Sequence, residues 1–421
     1  MRTALLTFLL AAVFCLNLPA QEQLTSDGEM PIHAWVGIPA NQSTVERFKE
    51  LKYAGINVNF TFYPNIAEVE KALDAAQQAG VKVLPFCPEL KNEPEKTVKR
   101  LMNHPALAGY HLRDEPSIAD FAGLSEWIKK VQAVDSKHGS YINLYPNDLC
   151  VERFFDKEVL ESMKKEGKNP YAEYVALFLK EVPVPYLSFD HYPITQKDGV
   201  NSIKVQWYEN LEIIAAASQK AGMPFWAFAL SNAHRNPGSA PGDPYPIPTV
   251  GDLKLQMYSN LAYGAQSLQY FTYWGMKKEW MEFQGAPMTA DGKRTEIYDR
   301  IKVVNDEIQT LAGVFLDSKV ISVRHTGEQI PQGTKRLEQL PPKIKTLETD
   351  GGAVVSLLEK GNRQFLVIVN RECQKTMKLT ITTDADVQKV LKDATVVPAS
   401  TYTDTTVVDA GDAVIFTWVR P

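Results

Sequence analysis

Two adjacent carboxylates, Asp114 and Glu115, close the run Gly109-Tyr110-His111-Leu112-Arg113, which reads as a buried β-strand. Carboxylates held together repel, so one pKa rises, and a carboxyl that keeps its proton near neutrality can act as a general acid. A plainer arrangement of the same residues is a pair of solvated loop acids, with Glu115 capping the helix after Pro116. Asp190-His191-Tyr192 ends a second strand-like run. Neighbours on a strand point to opposite faces, so Asp190 and His191 cannot both ligate one metal ion. Further ligands at a suitable spacing are missing, His111 being the one obvious candidate, so neither a metal nor another cofactor is expected. Asp190 as hydroxyl acceptor, Tyr192 as donor, and Trp226 and Trp274 as stacking faces would instead make a sugar-binding rim. Barrel core is the plainer role for the two tryptophans. Tyr63, His111, Tyr145, Asn147 and His191 stand at or near other strand ends as further substrate contacts, with Glu279 beyond Trp274.

The elements that must position these residues recur along the chain. Short β-rich runs fall at 33–39, 56–63, 81–86, 107–113, 141–145, 186–191, 224–230 and 267–273. Amphipathic helix signals lie between them. Ser43 and Glu46 make a capping box before Val45, Phe48 and Leu51, and Gly55 closes that helix. Ile66, Val69, Leu73 and Ala76 repeat at helical spacing, and Gly80 stops the helix before Val81. Eight such units predict an α/β fold, a (β/α)8 TIM barrel over 28–317, for which ~250 residues is typical. A doubly wound sheet is the alternative, but no Gly-rich phosphate turn follows any strand. In such a barrel, function collects at the C-terminal strand ends, where Asp114, Glu115 and Asp190 all stand. From 318 to 421 the pattern changes to strands at 320–324, 352–358, 364–370, 377–382, 387–391 and 413–419, with an exposed loop at 329–345. This predicts a C-terminal all-β sandwich packed on the barrel.

Composition narrows the partners. Of 421 residues, 45 are Lys or Arg and 50 are Asp or Glu, a net charge of -5 that lacks the basic footprint nucleic acids demand. Arg2, the apolar run from Ala4 to Leu16 and the exit Leu18-Pro19-Ala20 read as a cleaved signal peptide over 1–20. That run is too short for a permanent span of ~30 Å, so no integral membrane segment is expected. The mature protein is expected in the periplasm or outside the cell. Cys87, Cys150 and Cys373 then remain, too widely spaced for a disulfide framework.

At these residues the chain resembles the retaining glycoside hydrolase barrels of clan A, and among them the family 42 β-galactosidases. The segment 109–116 stands where that clan carries its fourth-strand Asn-Glu, the Glu being acid/base. Leu187-Ser188-Phe189-Asp190-His191-Tyr192-Pro193 is similar to the Ser-Trp-Asp-Asn-Tyr-Pro stretch of family 42, and 264–274 looks like its eighth strand. The resemblance covers most of the chain in organisation and short stretches in sequence. Two departures matter. Asp114 replaces the clan's Asn, which contacts the sugar 2-hydroxyl. The clan's nucleophile lies within a stretch like Pro-Phe-Trp-Leu-Met-Glu-Gln-Ser. Here Pro224-Phe225-Trp226-Ala227-Phe228-Ala229-Leu230-Ser231 puts Ala229 at that Glu, and no carboxylate occurs from 224 to 242.

The resemblance thus implies a glycosidase acting on a poly- or oligosaccharide, with Glu115 as general acid. Its second carboxylate is Asp190 or Asp114, or the substrate supplies the nucleophile with Asp114 polarising it. A barrel that has lost catalysis and binds carbohydrate is the other reading.

Overall fold

The computed structural model describes residues 24, 28–149, 151–235, 244–277, 282–401 and 405–420. The signal peptide expected over 1–20, Cys150 and Glu279 lie outside them.

Eight parallel strands form the barrel: β1 (Ile32–Trp35), β2 (Val58–Phe62), β3 (Lys82–Phe86), β4 (Gly109–Asp114), β5 (Gly139–Asn143), β6 (Leu187–Phe189), β7 (Phe225–Leu230) and β8 (Ser267–Phe271). Hydrogen-bonded ladders run β3-β2-β1-β8-β7-β6, and β4 pairs β5. Two parallel bridges, Val83 to Leu107 and Leu144 to Phe189, join the two groups and close the ring. This is a (β/α)8 barrel rather than an open doubly wound sheet.

Helices α1 (Val45–Tyr53), α2 (Ile66–Ala79), α3 (Pro88–Asn92), α4 (Pro94–Leu101) and α5 (Phe121–Val134) wrap the first half. Around the second half run α6 (Lys157–Lys165), α7 (Pro170–Glu181), α8 (Trp207–Ala221), α9 (Val250–Ala262), α10 (Glu296–Thr310) and α11 (Ala312–Phe315). Gly80 ends α2 in the left-handed conformation at φ 67°, which a residue without Cβ adopts readily. The α1 cap differs from expectation. A 3-10 turn at Ala40–Gln42 carries the chain one residue further, so Thr44, not Ser43, accepts the Arg47 N–H. Ser43 donates to the Pro39 carbonyl instead. An antiparallel hairpin, Ile194–Lys197 with Val200–Ile203, follows β6 and had no counterpart in the sequence reading.

Among the described residues, the C-terminal region is a β-sandwich of nine strands: β9 (Lys319–His325), β10 (Ile344–Thr349), β11 (Ala353–Lys360), β12 (Arg363–Asn370), β13 (Met377–Thr383), β14 (Gln388–Val390), β15 (Val396–Pro398), β16 (Thr405–Val408) and β17 (Ala413–Val419). One sheet has the order β9-β11-β12-β17-β14-β15 and the other β10-β13-β16. Strands β10, β15 and β16 were not expected, and β10 takes up the end of the predicted 329–345 loop. Strands β11 and β12 are buried on both faces because one face meets the smaller sheet and the other meets the barrel. That explains their near-continuous apolar runs. Ser356 Oγ donates to the Ala262 carbonyl at the end of α9, 2.6 Å away, across this junction.

Candidate active site

A β-bulge aims the site. His111 pairs with Tyr141 in the β4–β5 ladder, but the next pairs are Arg113 with Ile142 and Asp114 with Asn143. Regular alternation would put Arg113 on the inner face with His111. The extra residue hands that place to Asp114 and turns Arg113 out to solvent, where its guanidinium lies 3.6 Å from Asp120. Glu115 follows at φ 45°, a left-handed conformation that costs a non-glycine residue about 1 kcal/mol or more. Its N–H donates to the Asn143 carbonyl at 2.8 Å, which holds it at the mouth.

Beneath the carboxyls runs a ladder of polar groups contributed by different strands. Tyr141 donates to Gln269 Oε1 at 2.8 Å, and Gln269 Nε2 donates to Ser188 Oγ at 2.9 Å. Ser188 donates in turn to Asn143 Oδ1 at 3.0 Å. With its oxygen so engaged, the Asn143 amide must present its NH2 upward. It donates to Asp190 Oδ1 at 2.8 Å and to Asp114 Oδ1 at 3.2 Å. One nitrogen therefore holds two carboxylates side by side.

Burial in this mouth raises all three acids, and neighbouring carboxylates add to it for Glu115 and Asp190. Glu115, half-buried, is pushed up to about 9 by burial first, then by Asp190 and Asp114, with Arg153 partly offsetting them. Asp190 rises to about 7 through burial and the Asp114 charge, against the lowering effect of its bonds from Asn143 and Tyr192. Water reaches Asp114 at the rim, but its carboxyl dips into the concave mouth, and the lost solvent holds it at about 6. Near neutrality Glu115 keeps its proton, while Asp114 and Asp190 ionise below it. Groups pushed apart in this way can divide acid and base roles between them.

Asp114, Glu115 and Asp190 thus converge. Tyr192 joins them with its hydroxyl on Asp190 and its ring stacked on Phe271 at 5.1 Å. Tyr145 stands beside Glu115, and the Arg153 guanidinium lies over its ring at 5.3 Å. The other expected contacts turn elsewhere. His191 faces away from Asp190, bonding Asn210 at 3.0 Å and approaching Asp148 at 3.6 Å, and burial lowers its pKa to about 4. Asn147 also turns to α8, donating to the Gln206 carbonyl. Tyr63 is buried with its hydroxyl on Asn59. Trp226 lies at the N-terminal end of β7, stacked on Tyr186 at 3.7 Å, so it lines the opposite end of the barrel from the mouth. Trp274 is 4% exposed, packed against Gly292 and under the Arg47 guanidinium. His111 is inside the barrel, ringed by Trp35, Phe60, Phe62 and Phe86.

Sequence reasoning missed Asn143, Ser188, Gln269 and Arg153. Asn143 had a signal: it follows Tyr141 by two on one strand and so shares its inner face. No group of three or more His, Cys, Asp or Glu poised to hold a metal occurs among the described residues.

No family model matches the chain, and no curated protein matches it in sequence. Solved structures do. A catalytic mutant of Gan42B, a GH42 beta-galactosidase from G. stearothermophilus, is similar at a TM-score of 0.62 and 8% identity, over 95% of this chain and 100% of that one. The beta-galactosidase from Bacillus circulans sp. alkalophilus is similar at 0.59 and 8%, over 93% of this chain and 99% of that one. The fold is that of the GH42 β-galactosidases. A beta-galactosidase from the psychrophilic Marinomonas ef1 matches at 0.47 and 12%, over 68% of this chain. This chain covers 61% of that enzyme, less than two thirds of its length. At such identities the likeness is one of fold, a glycosidase fold, and the chemistry must be argued from the residues.

Proposed function

We propose that this protein is an exported glycoside hydrolase that cleaves a poly- or oligosaccharide at the barrel mouth. The observation that carries the reading is the convergence of Asp114, Glu115 and Asp190 there, with Glu115 holding its proton through neutrality. In this reading Glu115 protonates the glycosidic oxygen as the C–O bond breaks. Asp190, the carboxylate that acts most strongly on Glu115, either attacks the anomeric carbon or takes a proton from the attacking water. Asp114 shares the Asn143 amide and is the alternative partner, or polarises a substrate group that attacks in its stead. The apolar leader at 4–16 supports export to the periplasm or beyond.

A second reading, a barrel that binds carbohydrate without cleaving it, draws on Ala229. Its methyl is fully buried on β7 at the place where the resembled enzymes carry their nucleophile. Reducing-sugar release from a panel of plant and host glycans, with β-galactosides as first probes because the solved neighbours are β-galactosidases, separates the two. Release by the native protein that is lost in Glu115→Gln supports the hydrolase. Glycan binding without release, with unchanged affinity in Glu115→Gln, supports the binding barrel. Turnover that persists in Glu115→Gln removes the catalytic assignment.

A further inference from the structure

The three acids stand on one side of the mouth. Asp114 and Glu115 are chain neighbours at the end of β4, and Asp190, beyond β6, shares the Asn143 amide nitrogen with Asp114. The side made by β7 and β8 is apolar. Phe271 ends β8 and stacks on Tyr192 at 5.1 Å, and Phe228 of β7 meets the same tyrosine edge-on at 6.2 Å. No carboxylate occurs from 224 to 242. An attacking group must reach the anomeric carbon from the face opposite the acid that protonates the leaving oxygen. Asp114 leaves the same strand end as Glu115, so it approaches a bound ring from the side of the acid.

The two aspartates are unequally occupied. Asp190 is held by two donors, the Asn143 amide and the Tyr192 hydroxyl. Asp114 accepts one bond, from Asn143 at 3.2 Å, and its second oxygen has no partner among the described residues. Because it ionises below Glu115, it is a charged acceptor without a donor beside a protonated acid. The occupant that answers this pattern brings a donor for Asp114, a nucleophile that the aromatic wall lacks, and an apolar part for Phe228 and Phe271. A hydroxyl brings the donor alone, and a carboxylate or sulfate would be repelled by the aspartates. A 2-acetamido group brings all three, through its N–H, its carbonyl oxygen and its methyl.

We propose that the sugar bound at Glu115 is a β-linked 2-acetamido pyranose, whose N–H is accepted by Asp114 while its own carbonyl oxygen attacks the anomeric carbon. The proposal rests on the glycosidase reading and names its substrate class. In the first step the carbonyl oxygen bonds to the anomeric carbon as the glycosidic C–O bond breaks, and Glu115 gives its proton to the departing oxygen. The positive charge left on the cyclic oxazolinium lies at the N–H that Asp114 holds. Water then adds to the anomeric carbon and returns a proton to Glu115, and the ring opens to the acetamide with the configuration retained.

Initial rates test this with 4-nitrophenyl N-acetyl-β-glucosaminide and N-acetyl-β-galactosaminide, their N-trifluoroacetyl analogues, and the matching β-glucoside and β-galactoside. A participating group acts at high effective molarity, so kcat/KM for the acetamido glycosides should exceed that of the hydroxyl ones roughly 100-fold or more. Fluorine withdraws electrons from the attacking carbonyl, so the trifluoroacetyl substrates should lose most of that advantage. Asp114→Asn, checked for an unchanged fold by its melting curve, should cost the acetamido substrates roughly 100-fold, as the loss of one group that stabilises transition-state charge does. Hydroxyl glycosides cleaved as fast as acetamido ones, or rates indifferent to fluorine, overturn the proposal and leave the glycosidase reading standing. If no glycoside is cleaved, that reading has failed, and calorimetry with the gluco- and galacto-configured thiazoline analogues of the cyclic intermediate decides whether the mouth recognises the group. Binding that weakens roughly tenfold in Asp114→Asn supports recognition, as expected for a lost charge-assisted bond; equal binding, or none to the native protein, overturns it.

Discussion

Replacing Glu115 by Gln removes a carboxyl that folding holds in its protonated form, and the consequence for stability depends on pH. In the unfolded chain Glu115 ionises near 4.5, and in the folded protein near 9. Between those values the native state binds one proton more than the unfolded state, so stability falls as pH rises. Below 4.5 both states are protonated and the penalty is absent; above 9 it is complete. At 1.36 kcal/mol for each pH unit above the unfolded value, the cost at pH 7 is at most about 3 kcal/mol. Water entering the mouth reduces it. Gln keeps the shape of Glu and carries no charge at any pH, so the variant escapes this cost. For a domain of this size about 2 °C of melting temperature accompanies each kcal/mol. Scanning calorimetry should show native and Glu115→Gln melting together near pH 4. The variant should then gain with pH, by up to about 6 °C at pH 7. A difference that stays constant from pH 4 to 8, or shrinks as pH rises, would refute the assignment of Glu115 as a carboxyl held protonated by burial and repulsion.

The pH profile of hydrolysis should be bell-shaped, falling on the basic side near 9 as Glu115 loses its proton. Its acidic limb is set by the working carboxylate, so turnover should collapse in Asp190→Asn if Asp190 is that group and in Asp114→Asn if Asp114 is, the other variant keeping most of its rate. Asn143→Leu leaves both carboxylates without their common donor, so the acidic limb should move to higher pH and the rate at pH 7 fall by roughly 10-fold or more; an unmoved limb would show that the shared amide is idle. Trp274→Phe should lower the melting temperature through lost contact with Arg47 while leaving KM unchanged, because that ring is buried under Arg47; a several-fold rise in KM would place it in the sugar site.

Much of the scaffold was legible in the chain. Hydrophobic runs of strand length alternate with helical repeats, and stops such as Gly80 separate them, because local propensity and periodicity of burial act within a few residues. The switch to strands alone after residue 318 marked the sandwich for the same reason. Asp114-Glu115 and Asp190 stood out because carboxylates at the ends of buried strands are costly unless something is made of them.

Period-two alternation tells which residues share a face, but not where a strand begins relative to its neighbour. Trp226 therefore looked like a rim residue, and only the β7 register puts it at the barrel floor beside Tyr186. The bulge after His111 cannot be read from 109–115, since it exists as a mismatch with β5, and without it Arg113 rather than Asp114 would face the mouth. Asn143 gains its role from two carboxylates 29 and 47 residues away. The chain by itself determined the barrel, the sandwich and the residue types at the strand ends, because these follow from local chemistry. Tertiary structure alone decided which of those side chains meet and which acid keeps its proton, because burial and repulsion depend on neighbours that the sequence holds far apart.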